Sequence, residues 1–483
     1  MTLRNQIMLI TYPDSLGRNL QDLSYVLRRH FRGAIGGLHI LPFYPSSADR
    51  GFAPIDYKVV DPAFGRYQEI KELGSEYDLM ADFMINHLSR QSPQFRDFVQ
   101  KKDASPYRDM FIRYKDFWPN GEPTAEDLGR IYQRKPRPPY VEITFGDGTQ
   151  EKIWCTFSEE QIDLNVDSPT TREFFRESLE FLAQQNAAII RLDAFAYATK
   201  KPGTNCFFVE PEVWELLEFT ADVLAPLGVE ILPEIHEHYT IQLKLAERGY
   251  WVYDFALPML LLHALYTGRN ERLLNWLRIC PRKQFTTLDT HDGIGVVDVK
   301  DLLTEEEIEE TKAFLFSRGA NVKPIYNTTA YNNLDVYQLN CTYYSALGNN
   351  DAAYLLARAV QFFTPGIPQV YYVGMLAGEN DLELLEKTKV GRNINRHYYT
   401  LEEIEADLKR PVVKRLVELM RFRSSYPAFD GEFSVESVDQ TGLRLTWRKG
   451  EYEAVLECDL KEHDFSISSW DPEVKRLQAL NLG

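Results

Sequence analysis

The chain has 483 residues and 44% of them are hydrophobic, which suffices for one large domain with attachments or for about two to four domains. A formal net charge of −17 argues against non-specific nucleic-acid binding, which needs a basic surface, and against docking on anionic membranes. The five cysteines are scattered, without metal-ligand spacing or a disulfide pattern, as in reduced intracellular proteins.

The N-terminal stretch MTLRNQIMLITYPDSLG has too short an apolar run for a secretory signal, and no run in the chain reaches the length of a membrane span. We therefore expect a cytoplasmic protein with no nucleic-acid partner and no membrane partner. The sequence is compatible with either a monomer or a homodimer.

Short apolar, β-branched runs alternate with amphipathic helical stretches along most of the chain. The runs are MLITY (8–12), GGLHILPF (36–43), LMADFMINH (79–87), AAIIRLDA (187–194), VEILPEIH (229–236), YWVYDF (250–255), QFTTLDTHD (284–292) and IPQVYYVG (367–374). Eight strands in such an alternation predict an α/β fold of the (β/α)8 TIM-barrel type. A doubly wound open sheet gives the same local pattern, but no GxGxxG loop follows the first strand.

Two connections between these strands are too long for ordinary loops. A polar, aromatic, proline-rich stretch follows strand three, and a shorter one follows strand seven. After about residue 428 short alternating strands replace the helical pattern. We therefore predict barrel segments at 1–87, 168–293 and 349–428, inserted domains at 88–167 and 294–348, and a C-terminal all-β domain at 429–483.

Charged and polar residues collect at the carboxyl ends of the predicted strands, where the catalytic groups of a barrel lie. These residues are Asp49, Arg50, Asn86, His87, Arg191, Asp193, Glu234, His236, Asp289, His291, Asp292, Arg392, Asn395 and Arg396. Burying so many charges is costly unless they are paired or used in chemistry. The pattern therefore predicts an active site at this end of the barrel.

Several carboxylates without a serine or cysteine nucleophile motif indicate glycosidic-bond chemistry, in which one carboxylate attacks the anomeric carbon and another protonates the leaving oxygen. The alternative is a zinc site with His87, His236 and His291 as ligands. No HExxH motif is present, and each histidine can instead hydrogen-bond substrate hydroxyls. We expect no metal.

Several longer motifs resemble a known family. RLDAFAY, EILPEIHEHY, TTLDTHDGIGVVD and DFMINH are similar to the conserved regions of the α-amylase superfamily of glycoside hydrolases. LITYPDSLG, HILPFYPSSADRGFAPIDY, NNLDVYQLNCTYYSALG, PGIPQVYYVGMLAGEND and GRNINRHYYT resemble the sucrose phosphorylases of that superfamily. The resemblance covers nearly the whole chain and is weak only over the last fifty or so residues.

The resemblance implies roles for three carboxyl groups. Asp193 matches the nucleophile that forms a β-glucosyl-enzyme, Glu234 the general acid/base, and Asp292 the carboxylate that stabilises the transition state. Asp193 lies two residues after Arg191, so both side chains point to the same face of the strand. A neighbouring cation favours the ionised form of a carboxylate, so we interpret the pair as a nucleophile with its counter-ion.

The resemblance also implies a substrate site. The residues that match it are Asp49, Phe52, His87, Phe157, Arg191, His291 and Arg392 around glucose, with His236 and Gln338 as further substrate-binding residues. For phosphate, the acidic chain needs local positive charge. The insertion supplies it in RIYQRKPRPPY, where Tyr132 matches the family's acceptor site and either Arg134 or Lys135 matches its arginine.

The implied reaction is the reversible phosphorolysis of sucrose to glucose 1-phosphate and fructose, with no cofactor. Asp335 would contact fructose hydroxyls and Tyr337 would face phosphate. A carboxylate at Asp335 repels a phosphorylated fructose, which favours sucrose over sucrose 6-phosphate. The alternatives are a phosphorylase for sucrose 6-phosphate, glucosylglycerol or glucosylglycerate, a hydrolase or transglucosidase, and a non-catalytic barrel, against which the three carboxylates argue.

Overall fold

The computed structural model describes residues 3–133, 137–320, 338–472 and 476–480. Eight strands, here β1 to β8, form one parallel sheet in the order β6-β7-β8-β1-β2-β3-β4-β5. Their bounds are Met8–Thr11, Gly37–Ile40, Asp78–Met84, Ala187–Asp193, Glu230–Pro233, Val252–Asp254, Gln284–Thr286 and Ile367–Tyr371. This sequential order is that of a (β/α)8 barrel, whereas a doubly wound sheet reverses its order part-way. The predicted fold class is confirmed.

The strands form where the apolar runs were found, but they end earlier than the runs do. The run at 284–292 contains the strand Gln284–Thr286 only, and the run at 229–236 contains Glu230–Pro233. The polar residues that follow leave the ladder, so their side chains and backbone groups are available for other contacts. The predicted domain boundaries stay a prediction.

The first of two compact units comprises the described residues of 40–235. In it β4 pairs with β3 and β5 in parallel, and the register sets Asp82 beside Arg191. Between β3 and β4 lie two short antiparallel pairs, His87–Ser89 with Gln161–Asp163 and Tyr140–Thr144 with Gln150–Trp154. The helices of this unit are Tyr67–Glu76, Pro93–Lys101, Tyr114–Phe117, Ala125–Arg130, Pro169–Ala183 and Glu212–Leu224.

The second unit comprises the described residues of 3–39, 236–322 and 336–483. In it β8 pairs with β1 and β7, and β7 pairs with β6. The C-terminal strands β9 to β13 form a five-stranded sheet in sequence order, with bounds Glu432–Ser437, Gly442–Lys449, Tyr452–Asp459, Asp464–Asp471 and Arg476–Ala479. The helices are Leu20–His30, Tyr239–Glu247, Leu257–Thr267, Glu271–Ile279, Glu305–Ser317, Tyr343–Ala346, Asp351–Phe363, Tyr372–Met375, Leu382–Thr388, Leu401–Asp407 and Pro411–Ser425.

Local sequence signals explain where several helices begin. The Ser168 side chain accepts a hydrogen bond from the Thr170 N–H immediately before Pro169–Ala183, and Thr304 forms a capping box with Glu307. Among the described residues, no helix is both long and apolar enough to cross a membrane.

Candidate active site

The first unit holds Arg191 between two carboxylates. Arg191 Nη1 donates to Asp193 Oδ1 at 2.9 Å and also to Asp82 Oδ1. The guanidinium is 3% exposed and the Asp82 carboxylate is 0% exposed, whereas Asp193 is 13% exposed. Asp82 therefore completes the neutralisation of a buried cation, and Asp193 is the member of the trio that reaches the surface of the site.

Glu234 directly follows β5 and lies beside the same guanidinium. Its Oε1 is 3.8 Å from Arg191 Nη2, and its Oε2 accepts a hydrogen bond from the Ala194 N–H at 3.0 Å. Ala194 has φ +52°, a left-handed conformation that turns its N–H away from the β4 ladder. The turn after Asp193 thus fixes Glu234 close to Asp193, as the assignment of both residues to one reaction requires.

Aromatic and imidazole groups surround this carboxylate cluster. The Phe52 ring lies 5.9 Å from the Arg191 guanidinium carbon, and the His87 ring makes an edge contact with Phe157 at 5.6 Å. His87 Nε2 is 2.8 Å from the Phe52 carbonyl oxygen. Asp49 begins the short 3₁₀ segment Asp49–Gly51, which directly precedes Phe52. The structure therefore brings together the residues that were predicted for glucose binding in this unit.

Tyr132 stacks on Tyr197, with ring centroids 6.3 Å apart and planes at 17°. Tyr197 itself contacts Phe157 at 5.1 Å, so Tyr132 is linked to the aromatic group described above. Arg137, in the same basic stretch, donates to the Phe157 carbonyl oxygen at 3.2 Å, so its guanidinium binds the backbone of the chain itself. Arg134 and Lys135 lie outside the described residues.

In the second unit Asp292 is held by a cation and lies beside a histidine. Arg392 Nη1 is 3.0 Å from Asp292 Oδ1, and His291 Nε2 is 3.6 Å from Asp292 Oδ2. The Asn340 amide donates to the Asp292 carbonyl oxygen at 2.6 Å. Arg396 Nε donates to the His291 carbonyl oxygen at 2.9 Å. The segment after β8 therefore fixes the segment after β7, as two neighbouring strand ends of a barrel can.

His236 forms a second polar group in this unit. Its Nδ1 is 3.3 Å from Asp298 Oδ2, its Nε2 is 3.0 Å from Gln338 Nε2, and its ring stacks on Phe255 at 3.8 Å. Burial raises the pKa of Asp298, while His236 acts in the opposite direction. Asp335 and Tyr337, the other residues predicted for the acceptor, lie outside the described residues.

Comparisons with known proteins identify the family. Residues 33–222 match the family described as alpha amylase, catalytic domain. Sucrose phosphorylase from Streptococcus mutans serotype c is 55% identical over 478 residues, which cover 98% of this chain and 99% of that protein. The chain belongs to the sucrose phosphorylase family. Sucrose 6(F)-phosphate phosphorylase from Thermoanaerobacterium thermosaccharolyticum is 47% identical over 97% of each chain.

A solved structure agrees with this assignment. The crystal structure of sucrose 6F-phosphate phosphorylase from Thermoanaerobacter thermosaccharolyticum matches with a TM-score of 0.96 at 46% identity, over 99% of each chain. Membership of the sucrose phosphorylase family confirms the predicted enzyme class, a glycosyltransferase of the α-amylase superfamily.

Several buried polar residues of this phosphorylase fold were not predicted from the sequence. The side chains of Asp82, Asp163, Lys200 and Asp298 are almost fully buried. Asp82 pairs with Arg191, Asp298 with His236, and Lys200 with both Asp163 and Asn86. A signal existed for Asp82, because it is a carboxylate within the apolar run of β3, as Arg191 is a cation within that of β4. Partners outside the strand pattern, such as Asp298 and Lys200, gave no comparable signal.

Proposed function

We propose that this enzyme catalyses the reversible phosphorolysis of sucrose to α-glucose 1-phosphate and fructose, with retention of configuration. The observation that carries the proposal is the shared guanidinium: Arg191 contacts Asp193 and lies 3.8 Å from Glu234. A nucleophile kept ionised by a cation, next to a second carboxyl group, is what a retaining double displacement requires. The 55% identity to a sucrose phosphorylase supports sucrose as the donor.

In the first step an Asp193 oxygen attacks the anomeric carbon of the glucosyl unit, and the bond from that carbon to the fructosyl oxygen breaks. Glu234 gives its proton to the leaving oxygen, so that fructose departs neutral and a β-glucosyl ester of Asp193 remains. In the second step a phosphate oxygen attacks the same carbon, Glu234 takes the proton of the attacking phosphate, and Asp193 leaves as a carboxylate. Two inversions give the α-phosphate.

The other residues bind the glucosyl unit and the transition state. Asp292, held by Arg392, accepts hydrogen bonds from sugar hydroxyls that strengthen as positive charge develops on the ring. The remaining glucose contacts come from Asp49, Phe52, His87, Phe157, Arg191 and His291, and the neutral apolar face of the sugar packs on the aromatic rings.

The acceptor side takes fructose in one direction and phosphate in the other. His236 and Gln338 bind the acceptor, and Tyr132 with Arg134 or Lys135 supplies the polar, cationic contacts that phosphate needs. Asp335 contacts fructose and Tyr337 faces phosphate. No cofactor takes part, because both proton transfers and the covalent step are assigned to carboxyl groups of the chain.

The relatives indicate two further donors to test. The chain is 47% identical to a sucrose 6(F)-phosphate phosphorylase and 46% identical to a glucosylglycerol phosphorylase, so these donors belong in the same experiment. The carboxylate of Asp335 favours the unphosphorylated fructose because it repels a phosphate group.

The test is product formation from sucrose, sucrose 6(F)-phosphate and glucosylglycerol, each with and without phosphate, following glucose 1-phosphate and free glucose separately. The Asp193→Asn variant serves as the inactive control. We expect glucose 1-phosphate from sucrose only when phosphate is present, with little free glucose. Equal glucose release in both conditions would make the enzyme a hydrolase, and turnover of another donor alone would overturn sucrose as the substrate.

A further inference from the structure

Lys200 carries a buried ammonium group in the first unit, outside the carboxylate cluster. Its Nζ is 2.8 Å from Asp163 Oδ2, 2.8 Å from Asn86 Oδ1 and 2.6 Å from the Tyr197 carbonyl oxygen. The lysine side chain is 2% exposed and the aspartate 0%. An ammonium has three N–H donors, and here each of them has an acceptor, so the position of Nζ is fixed.

The Lys200 ammonium determines the orientation of the Asn86 amide. Because Lys200 can only donate, the oxygen of the Asn86 amide must face it, and the NH2 group then points towards His87 Nδ1, 3.2 Å away. An NH2 group also only donates, so Nδ1 must offer its lone pair. The Phe52 carbonyl oxygen lies 2.8 Å from Nε2 and can only accept, so the imidazole proton is on Nε2. The Gln161 NH2 group lies 3.1 Å from Nε2 because it donates to the same carbonyl.

A second proton on His87 conflicts with this network. It would place an N–H on Nδ1 against the NH2 group of Asn86, and turning the amide would place that NH2 group against the Lys200 ammonium. Burial lowers the pKa of His87, and the charge of Lys200 acts in the same direction. Asp163, the hydrogen bond to the Phe52 carbonyl and Asp49 act in the opposite direction.

The Phe52 carbonyl that His87 holds directly follows a segment of three residues with positive φ. Asp49, Arg50 and Gly51 have φ of +48°, +50° and +110° in succession. A non-glycine residue in this region is strained and persists only where its surroundings hold it. The Gln161 amide donates to the same carbonyl at 3.0 Å, so two N–H groups hold the end of the segment.

We propose that Lys200 is a positioning residue which, through Asn86, keeps His87 neutral with its proton on Nε2 and thereby holds the segment that carries Asp49 and Phe52. This role deepens the proposed function, since both residues are assigned to glucose binding there. Lys200 acts through other residues, since the contacts of its ammonium are with Asp163, Asn86 and the Tyr197 carbonyl.

The first test reads the protonation of His87 directly, without any assay of activity. The chain is labelled with isotopic nitrogen in its histidines, and the His87 signals are assigned by their loss in His87→Gln. We expect the wild type to show a protonated Nε2 and an unprotonated Nδ1. Asn86→Asp keeps an oxygen towards Lys200 but turns the group that faces Nδ1 into an acceptor, so Nδ1 should become protonated. Unchanged His87 signals in this variant would overturn the proposal.

The second test uses Lys200→Met with Lys201→Met as the matched control. Lys201 is the next residue, its side chain is 55% exposed, and it pairs with Glu212 at the surface. Losing the Lys200 charge should raise the acid limb of the pH profile of kcat/KM by about one pH unit, because His87 then gains a proton more easily. An acid limb equal to that of Lys201→Met would refute the role. If neither variant nor wild type turns over sucrose, the proposed function fails while the spectra still decide this inference.

Discussion

Replacing Arg191 by glutamine tests the electrostatic basis of the proposed mechanism. The change removes a positive charge that lies 2.9 Å from Asp193 Oδ1, is bonded to Asp82 and is 3.8 Å from Glu234. Two unit charges about 4 Å apart attract by about 4 kcal/mol at the effective dielectric constant of about 20 that suits such sites. Each change of about 1.4 kcal/mol corresponds to a factor of ten in an equilibrium constant. The ratio of ionised to protonated Asp193 at a given pH therefore falls by up to about a thousandfold.

We therefore expect kcat/KM for sucrose in phosphorolysis to fall by about 100- to 1,000-fold on the acid side of the pH profile and by less at neutral pH. The deficit should shrink as the pH rises, because a higher pH restores the ionised Asp193 that the guanidinium no longer supports. The assay is the initial rate of glucose 1-phosphate formation across the pH range. Arg176→Gln is the matched control, since Arg176 is 46% exposed and pairs only loosely, at 3.8 Å, with Glu173.

A double variant separates the two roles of the guanidinium. In Arg191→Gln the buried Asp82 loses its partner, and this uncompensated charge adds to the effect on Asp193. Adding Asp82→Asn removes that charge, so the double variant should recover about tenfold relative to Arg191→Gln. A loss below tenfold on the acid side of the profile in the single variant, or a loss that does not change with pH, would refute the electrostatic reasoning.

Three further predictions concern stability. Burial raises the pKa of Asp254 from 3.8 to about 6. Between about pH 4 and pH 6 the unfolded chain ionises this carboxyl more readily than the folded chain, so stability falls by about 3 kcal/mol as the pH rises. The Tm of the wild type relative to Asp254→Asn should therefore decline over that window. Arg358→Met leaves the fully buried Asp289 unpaired and should cost about 3–5 kcal/mol in chemical unfolding, part of which Asp289→Asn restores. Gly51→Ala should lower both Tm and kcat/KM, because the new Cβ would lie 2.5 Å from the Pro42 carbonyl oxygen. Gly148→Ala is the control: it has open space around it and should lower only Tm, and by less.

The sequence was sufficient for the barrel because strands that are covered on both faces read as continuous apolar runs. Ala187–Asp193 and Asp78–Met84 agree with their predicted runs to within a few residues. The ends of the runs were predicted less well. At QFTTLDTHD the strand stops at Thr286, because the polar residues beyond it bind side chains and loops instead of continuing the ladder.

The candidate site was predicted in part. Strand-end position and motif resemblance identified Asp193, Glu234 and Asp292, and the structure shows partners for each of them. Their roles stay predictions, as do the cytoplasmic location, the absence of metal and cofactor, and the monomeric or homodimeric state. The residues Arg134, Lys135, Asp335 and Tyr337 lie outside the described residues, so their contacts with the acceptor stay predictions too.

The residues that the sequence did not reveal act on other residues rather than on substrate. Asp82 neutralises Arg191 across the register of β3 and β4, and Lys200 orients Asn86 from a segment more than a hundred positions away. A strand pattern shows which face a side chain lies on, but it does not show which neighbour shares that face. Pairing of this kind depends on sheet register and on the path of loops, and both are properties of the folded chain. Asp82 and Lys200 are examples, since each is a buried charge whose partner only the folded chain brings close.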